Sequence, residues 1–153
     1  MFKSAPMSFQ STKTWDGLLL LVRLWLGYRM ITASYSSVVD IIFHPKERAF
    51  FENWFGKELH FPAPLFMAFL AKGAELLGGI LVIPGLMTRF AASLIAFTMI
   101  VATLTANLGE NWNIDGGFTV SYTLFALILI VSGPGKYSLD YRLFRGRNNF
   151  IIN

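Results

Sequence analysis

Cysteine is absent from the 153 residues, histidine occurs twice, and charged residues make up only 14% of the chain. Without cysteine the chain offers no disulfide, thiol relay or iron–sulfur ligation of its own. His44 and His60 lie in one connection at no ligand-like spacing, which argues against a metal site. Neither falls in an apolar run, which excludes bis-histidine haem ligation inside a helix bundle. Scarce charge combined with a hydrophobic share of 54%, including 15 Phe, excludes an ordinary soluble domain. The net charge of +4 comes from few cations, most of them beside apolar runs. Lipid headgroups, rather than nucleic acid, are therefore the expected counter-charge.

What the chain does contain is long apolar runs. A helical crossing of a hydrocarbon core about 30 Å thick takes about 20 residues, so this length leaves room for about four spans in one domain, residues 1–153. The runs predict helices over about Trp15–Ile42, Ala63–Ile83, Thr88–Leu108 and Gly117–Ser132. The first continues well past the length of a signal-peptide core and reads as a retained helix. Pro84-Gly85 ends the second, and a short turn sends the third back antiparallel, with Thr88 as its expected cap. Ala92, Ala96, Met99, Thr103 and Ala106 share one face of the third helix, where small residues permit close approach. Between the first two runs, FHPKERAFFENWFGKELHFPAP mixes charge with Phe50, Phe51, Trp54, Phe55 and Phe61 and reads as an interfacial amphipathic segment.

The expected fold is all-α: an integral membrane four-helix antiparallel bundle. Lys3, Lys13, Arg89, Lys136, Arg142, Arg145 and Arg147 fall on one side of it, against Lys46, Arg48 and Lys57 on the other, which predicts cytoplasmic N and C termini. The tail from Lys136 would lie along the inner leaflet, with Tyr137, Tyr141 and Phe144 as anchors.

Ionisable residues inside the runs carry the functional expectation, because each costs at least about 2.5–3.5 kcal/mol at mid-membrane and needs a partner or a task. Arg23 and Arg29 lie in the first run, Lys72 and Glu75 in the second. Counting along the helices places Arg23 and Glu75 at one level, where guanidinium and carboxylate can pair, with Arg29 and Lys72 one layer further out. Lys72 and Glu75 share a helical face extended by Ala68 and Gly79. Three cations facing one acid leave room for a ligand with acceptor oxygens: a quinone, a small oxyanion or a lipid phosphate. The bland reading is that the Arg–Glu pair only sets helix register while Lys72 or Arg29 snorkels outward. Asn107 and Asp115 could line a mouth or cap helices. Tyr28, Tyr35, Tyr122, Trp25 and Trp112 could stack on a planar ligand, though interfacial belts explain most of them. Ser34, Ser36 and Ser37 are expected to bond backbone within the first helix.

RLWLG, AELLGGILVIPGLMTRFAA, TMIVA and GPGKYSLD together resemble the DoxX family of small bacterial and archaeal membrane proteins, over about Asp16 to Asp140. The resemblance implies a four-helix membrane bundle in the cytoplasmic membrane. It also implies association with quinol oxidase, thiosulfate:quinone oxidoreductase or thiol and superoxide detoxifying partners. Arg23, Glu75, Gly79, Thr88, Arg89 and Asp140 occupy matching motif positions. Three protonatable positions common in the family are replaced here, where the chain reads ITASYSSVVD, TANLG and GGFTVSY. Their loss argues against carrying a proton-coupled mechanism over from the family.

Two functions follow as expectations. One is an oxidoreductase subunit that binds quinone at Glu75, Arg23 and Lys72, with Arg29, Gly79 and Asn107 lining the ligand and no covalent cofactor. Electrons would then come from a redox partner or a small reductant. The other is a non-catalytic anchor or assembly subunit, docking through its aromatic loop and basic tail. Passage of a small anion would need a homo-oligomer.

Overall fold

A computed structural model describes residues 13–105 and 118–148, with side chains through residue 143. Within these residues every regular element is helical. Helix α1 runs Lys13–Phe43, α2 Pro45–Asn53, α3 Pro64–Val82, α4 Thr88–Thr105, α5 Phe118–Ser132 and α6 Leu139–Asn148; a π-helical turn, Trp54–Glu58, extends α2. Helices α1, α3 and α4 are long and apolar enough to cross a membrane, and α5 is a shorter apolar helix. Helix α1 packs along α3, α3 along α4 and α4 along α5, while α5 touches α1 lightly and closes the ring. Asn107, Trp112, Asp115, Ala106 and the side chains of Phe144, Arg145 and Arg147 lie outside what the structure describes.

The surface is that of a membrane protein. Phe97 is 68% and Val131 78% exposed, whereas Leu26, Val82, Ile95 and Leu129 are fully enclosed in a core shared by the four apolar helices. Lipid tails are as apolar as leucine, so this core gains little from burial itself and depends on close packing. Small residues supply it: Ala91, Ala92 and Ala96 are buried on α4, and Gly78 and Gly79 on α3. Thr103 also turns inward, its hydroxyl donating to Thr119 on α5. A second, smaller core fastens the amphipathic segment to the bundle through Ile41, Phe51, Phe55 and Ala68. Arg48 assists by donating to the last carbonyls of α1, those of Ile41 and Ile42.

The opposite end of the bundle is held by hydrogen bonds. Helix α3 stops in a Schellman motif, with Leu86 N–H bonded to Leu81 O and Gly85 N–H to Val82 O; Gly85 has the required φ of +72°. Pro84 O and Gly85 O accept the backbone N–H groups of Leu139 and Asp140, which docks the start of α6 onto the α3–α4 turn. Asp140 then reaches back: its carboxylate accepts from Met87 N–H (2.8 Å), Thr88 N–H (2.8 Å) and the Thr88 hydroxyl (2.9 Å). Thr88, expected as the cap of α4, is instead a donor within it, and the capping oxygens belong to a residue 52 positions away. Met87 has a left-handed φ of 47°, a conformation L-residues adopt at a cost, and the Asp140 carboxylate fixes its N–H there. Asp140→Ala should lower stability by about 1–3 kcal/mol, the range for losing a cap and leaving buried donors unmet, and a lower Tm in detergent would register it.

Candidate functional site

The charges inside the bundle do not meet as the sequence suggests. Arg23, fully buried on α1, donates to four backbone carbonyls: Nε to Val82 O (3.2 Å), Nη2 to Ile83 O (3.0 Å) and Tyr137 O (3.3 Å), and Nη1 to Pro134 O (2.7 Å). Val82 and Ile83 end α3, where helical carbonyls lack intrahelical donors and carry the negative end of the macrodipole, so a planar cation with several donors fits there. Arg23 therefore ties α1, the end of α3 and the 133–138 turn together. The expected Arg23–Glu75 pair is not formed.

The reason is register. Residue-by-residue counting set the start of α1 level with the end of α3, but α1 begins lower, packing Asp16 and Leu19 against the Gly-Pro-Gly turn. Asp16 accepts the Lys136 backbone N–H (3.2 Å) and stands 3.6 Å from its ammonium. This brings Arg23 beside Val82 and Ile83, seven and eight residues past Glu75, about 10–12 Å along the axis of α3.

Glu75 is 4% exposed and has two partners, both on one oxygen. Ser34 of α1 donates its hydroxyl to Oε2 at 2.6 Å, and Lys72, one turn away on α3, places Nζ 3.0 Å from the same atom. Ser34 is fully buried, so the hydroxyl expected to bond within its own helix bonds across to α3 instead. The signal was present in the sequence: Arg23, Gly27, Met30 and Ser34 follow one another at helical spacing, and all four are buried. Lys72 keeps one-fifth of its side chain exposed and forms the lip of the site. Of the three cations expected around the acid, only Lys72 is there.

Arg29 lies on another side of α1, where its Nε donates to the Tyr122 hydroxyl of α5 at 3.0 Å and bridges the lightly packed α1–α5 seam. Tyr122, read from sequence as a stacking or belt residue, is here a cation's partner. Gly79, expected along the ligand, faces α1. A Cβ there would stand 3.0 Å from Gly27 O and from Met30 Cβ, so its role is close approach of α1 to α3. Gly78 does the same toward α4, facing Ile95 and Ala91 O, and the Gly-Gly step seats α3 between two neighbours. His44 bonds Asp40 and His60 the Glu58 carbonyl, and no group of His, Cys, Asp or Glu among the described residues has the makings of a metal site.

Chemically, a carboxylate buried beside an ammonium in a membrane-spanning helix offers proton exchange at one atom and hydrogen-bond donation at another. The ammonium has three donors and spends one on Glu75. Ser34, Lys72 and Glu75 all lie in the region matched by a family sequence model described as DoxX, over residues 18–108. Among curated proteins, the chain is 35% identical over 86 residues to "Putative oxidoreductase CatD" of Bacillus subtilis, covering 56% of this chain and 64% of that protein. It is 33% identical over 99 residues to an uncharacterized protein of Haemophilus influenzae, covering 58% of this chain and 66% of that one. The chain thus spans somewhat under two thirds of the length of these relatives. No solved structure matches it significantly.

Proposed function

Because this chain belongs to the DoxX family, we propose that it is the membrane-embedded subunit of a quinone-reactive oxidoreductase in a bacterial or archaeal cytoplasmic membrane, with both termini in the cytoplasm. In this reading the reaction site is the Lys72–Glu75–Ser34 cluster. The observation that carries it is the buried carboxylate held between a serine of α1 and a lysine of its own helix, within a span where an unused charge is costly. Lys72 suits the substrate's acceptor oxygen, polarising it with its spare donors. Glu75 suits proton exchange at that oxygen, and Ser34 positions the carboxylate. Reduction of a quinone takes two electrons and two protons; in this reading the electrons come from a partner subunit or a small reductant. Arg23 drops out of the reacting set, as the α3 end and the Gly-Pro-Gly turn occupy its donors. A name given to one relative, an oxidoreductase, supports the same class.

A second reading, an anchor or assembly subunit without chemistry, is favoured by how fully Arg23, Asp16 and Asp140 are absorbed in holding the fold. Glu75→Gln separates the two. The catalytic reading expects the variant at wild-type abundance and Tm, while quinone that co-purifies in native lipid with the wild-type protein is lost from it. Recovery of the wild-type protein without quinone, or a variant that is merely scarce, would favour the anchor.

A further inference from the structure

Arg23 and Arg29 lie on the same apolar helix and meet opposite surroundings. Arg23 spends its donors on four carbonyls, whereas the Arg29 side chain makes one bond among the described residues, from Nε to the Tyr122 hydroxyl at 3.0 Å. The N–H groups on its Nη1 and Nη2 have no acceptor there, and no described carboxylate pairs with its charge. The Tyr122 hydroxyl already accepts from Arg29, and its own proton likewise has no acceptor among the described residues. Among those residues the α1–α5 seam therefore presents donors and a positive charge with nothing to receive them. Arg29 and Ser34, five residues apart on α1, point about 140° from each other, so this seam is separate from the Lys72–Glu75–Ser34 cluster.

Water accepts such donors but leaves the positive charge in the span uncompensated, which is costly in a membrane helix. The full complement is an acceptor that is itself negative, and phosphate oxygens suit the forked donors of a guanidinium. Depth decides where that phosphate comes from. Helix α5 has 15 residues, which reach about 22 Å against a hydrocarbon core about 30 Å thick, and Tyr122 lies four residues, about 6 Å, from its start. A short span is accommodated by local thinning of the bilayer, which draws lipid headgroups toward the level of Tyr122. Phe118 and Trp25, one turn from Tyr122 and Arg29 on their own helices, are both exposed and offer apolar surface to acyl chains. We propose that the α1–α5 seam binds an anionic membrane lipid, its phosphodiester accepting from Arg29 Nη1 and Nη2 and from the Tyr122 hydroxyl. The lipid completes the closure of the ring where α5 touches α1 only lightly.

The test follows lipid retention by the full-length protein in detergent, using native mass spectrometry with phosphatidylglycerol and phosphatidylcholine as probes. Both carry a phosphodiester, but choline brings its own cation, so only the first is net negative. Wild-type protein should bind phosphatidylglycerol about tenfold more tightly than phosphatidylcholine, the scale of one charge-assisted contact. The preference should fall to near parity in Arg29→Gln and persist in Arg142→Gln, which removes an exposed cation of α6 instead. Equal binding of the two lipids by wild-type protein, or a preference that follows Arg142 and not Arg29, overturns the proposal. Inorganic phosphate should not displace the retained phosphatidylglycerol; displacement that depends on Arg29 assigns the seam to a free ion and overturns the lipid. Should Arg29→Gln fail to fold, wild-type protein carries the test through a phosphatidylglycerol bearing a diazirine near its headgroup. That probe should label the peptides around Tyr28 and Tyr122, and labelling confined to residues 136–143 overturns the proposal.

Discussion

Arg23→Ala is expected to lower stability by about 3–5 kcal/mol, read as a large drop in Tm in detergent. The substitution removes four hydrogen bonds at once, each worth about 1 kcal/mol net, and leaves buried carbonyls at the end of α3 without donors. Arg23→Lys should recover little, because a tetrahedral ammonium cannot span the carbonyls of Val82, Ile83, Pro134 and Tyr137 from one side as a planar guanidinium does. The same geometry predicts independence from the substrate site. Since Arg23 and Glu75 are separated by about 10–12 Å along α3, Arg23→Ala and Glu75→Gln should act additively in thermal unfolding, within about 0.5 kcal/mol. Strong coupling in that double-mutant cycle would restore the ion pair that the structure replaces.

The fold was legible because its signal is spread over many residues. Apolar runs, Pro84-Gly85 and the Gly-Pro-Gly turn each locate a helix end to within a few residues, and lipid as solvent makes the runs unambiguous. The site was less legible because a pairing between helices depends on register, and register here is set by contacts far apart in sequence. The turn at residues 133–138 tucks beside Asp16 and Leu19, which lowers Arg23 to the end of α3. Nothing in the local sequence of α1 records that. Ser34 was misread for a related reason: it looks ordinary on its own helix, and only the partner helix makes it a carboxylate's donor, as another makes Tyr122 a guanidinium's acceptor.

The motif pieces that carried the family resemblance acquire separate physical meanings. Arg23, Gly85, Thr88 and Asp140, distant in sequence, converge on one network that closes the α3–α4 turn end: a Cβ on Gly85 would stand 2.7 Å from Arg23 Cζ and 2.6 Å from Ser138 Cβ, and Asp140 caps α4 through Thr88. Glu75 belongs to a different layer with Ser34 and Lys72. Reading every ionisable motif residue as part of one reacting cluster merges a scaffold with a site. The separation explains how the bundle can hold its buried charges in lipid: the scaffold charges are satisfied largely by backbone, and Glu75 is satisfied by Ser34 and Lys72.

A large steric effect is expected at Gly79. Gly79→Val should destabilise the protein by about 3 kcal/mol, because the new side chain begins at a Cβ already 3.0 Å from Gly27 O and Met30 Cβ and 3.1 Å from Ile31 Cγ1. Two of these neighbours resist displacement: a backbone carbonyl and the Cβ of a fully enclosed methionine cannot rotate away. Helix α1 must therefore separate from α3, and the 2.6 Å bond from Ser34 to Glu75, one turn along, lengthens with it. Gly79→Val should accordingly lower both Tm and affinity for quinone. Gly73→Ala, on the same helix but facing open space, should be neutral or stabilising by up to about 1 kcal/mol through helix propensity alone. Measured together by thermal unfolding in detergent and by quinone binding in nanodiscs, the pair distinguishes a requirement for close approach from a general intolerance of substitution in α3. Equal losses at both positions would contradict the Gly27–Gly79 crossing as the contact that sets the spacing of the site.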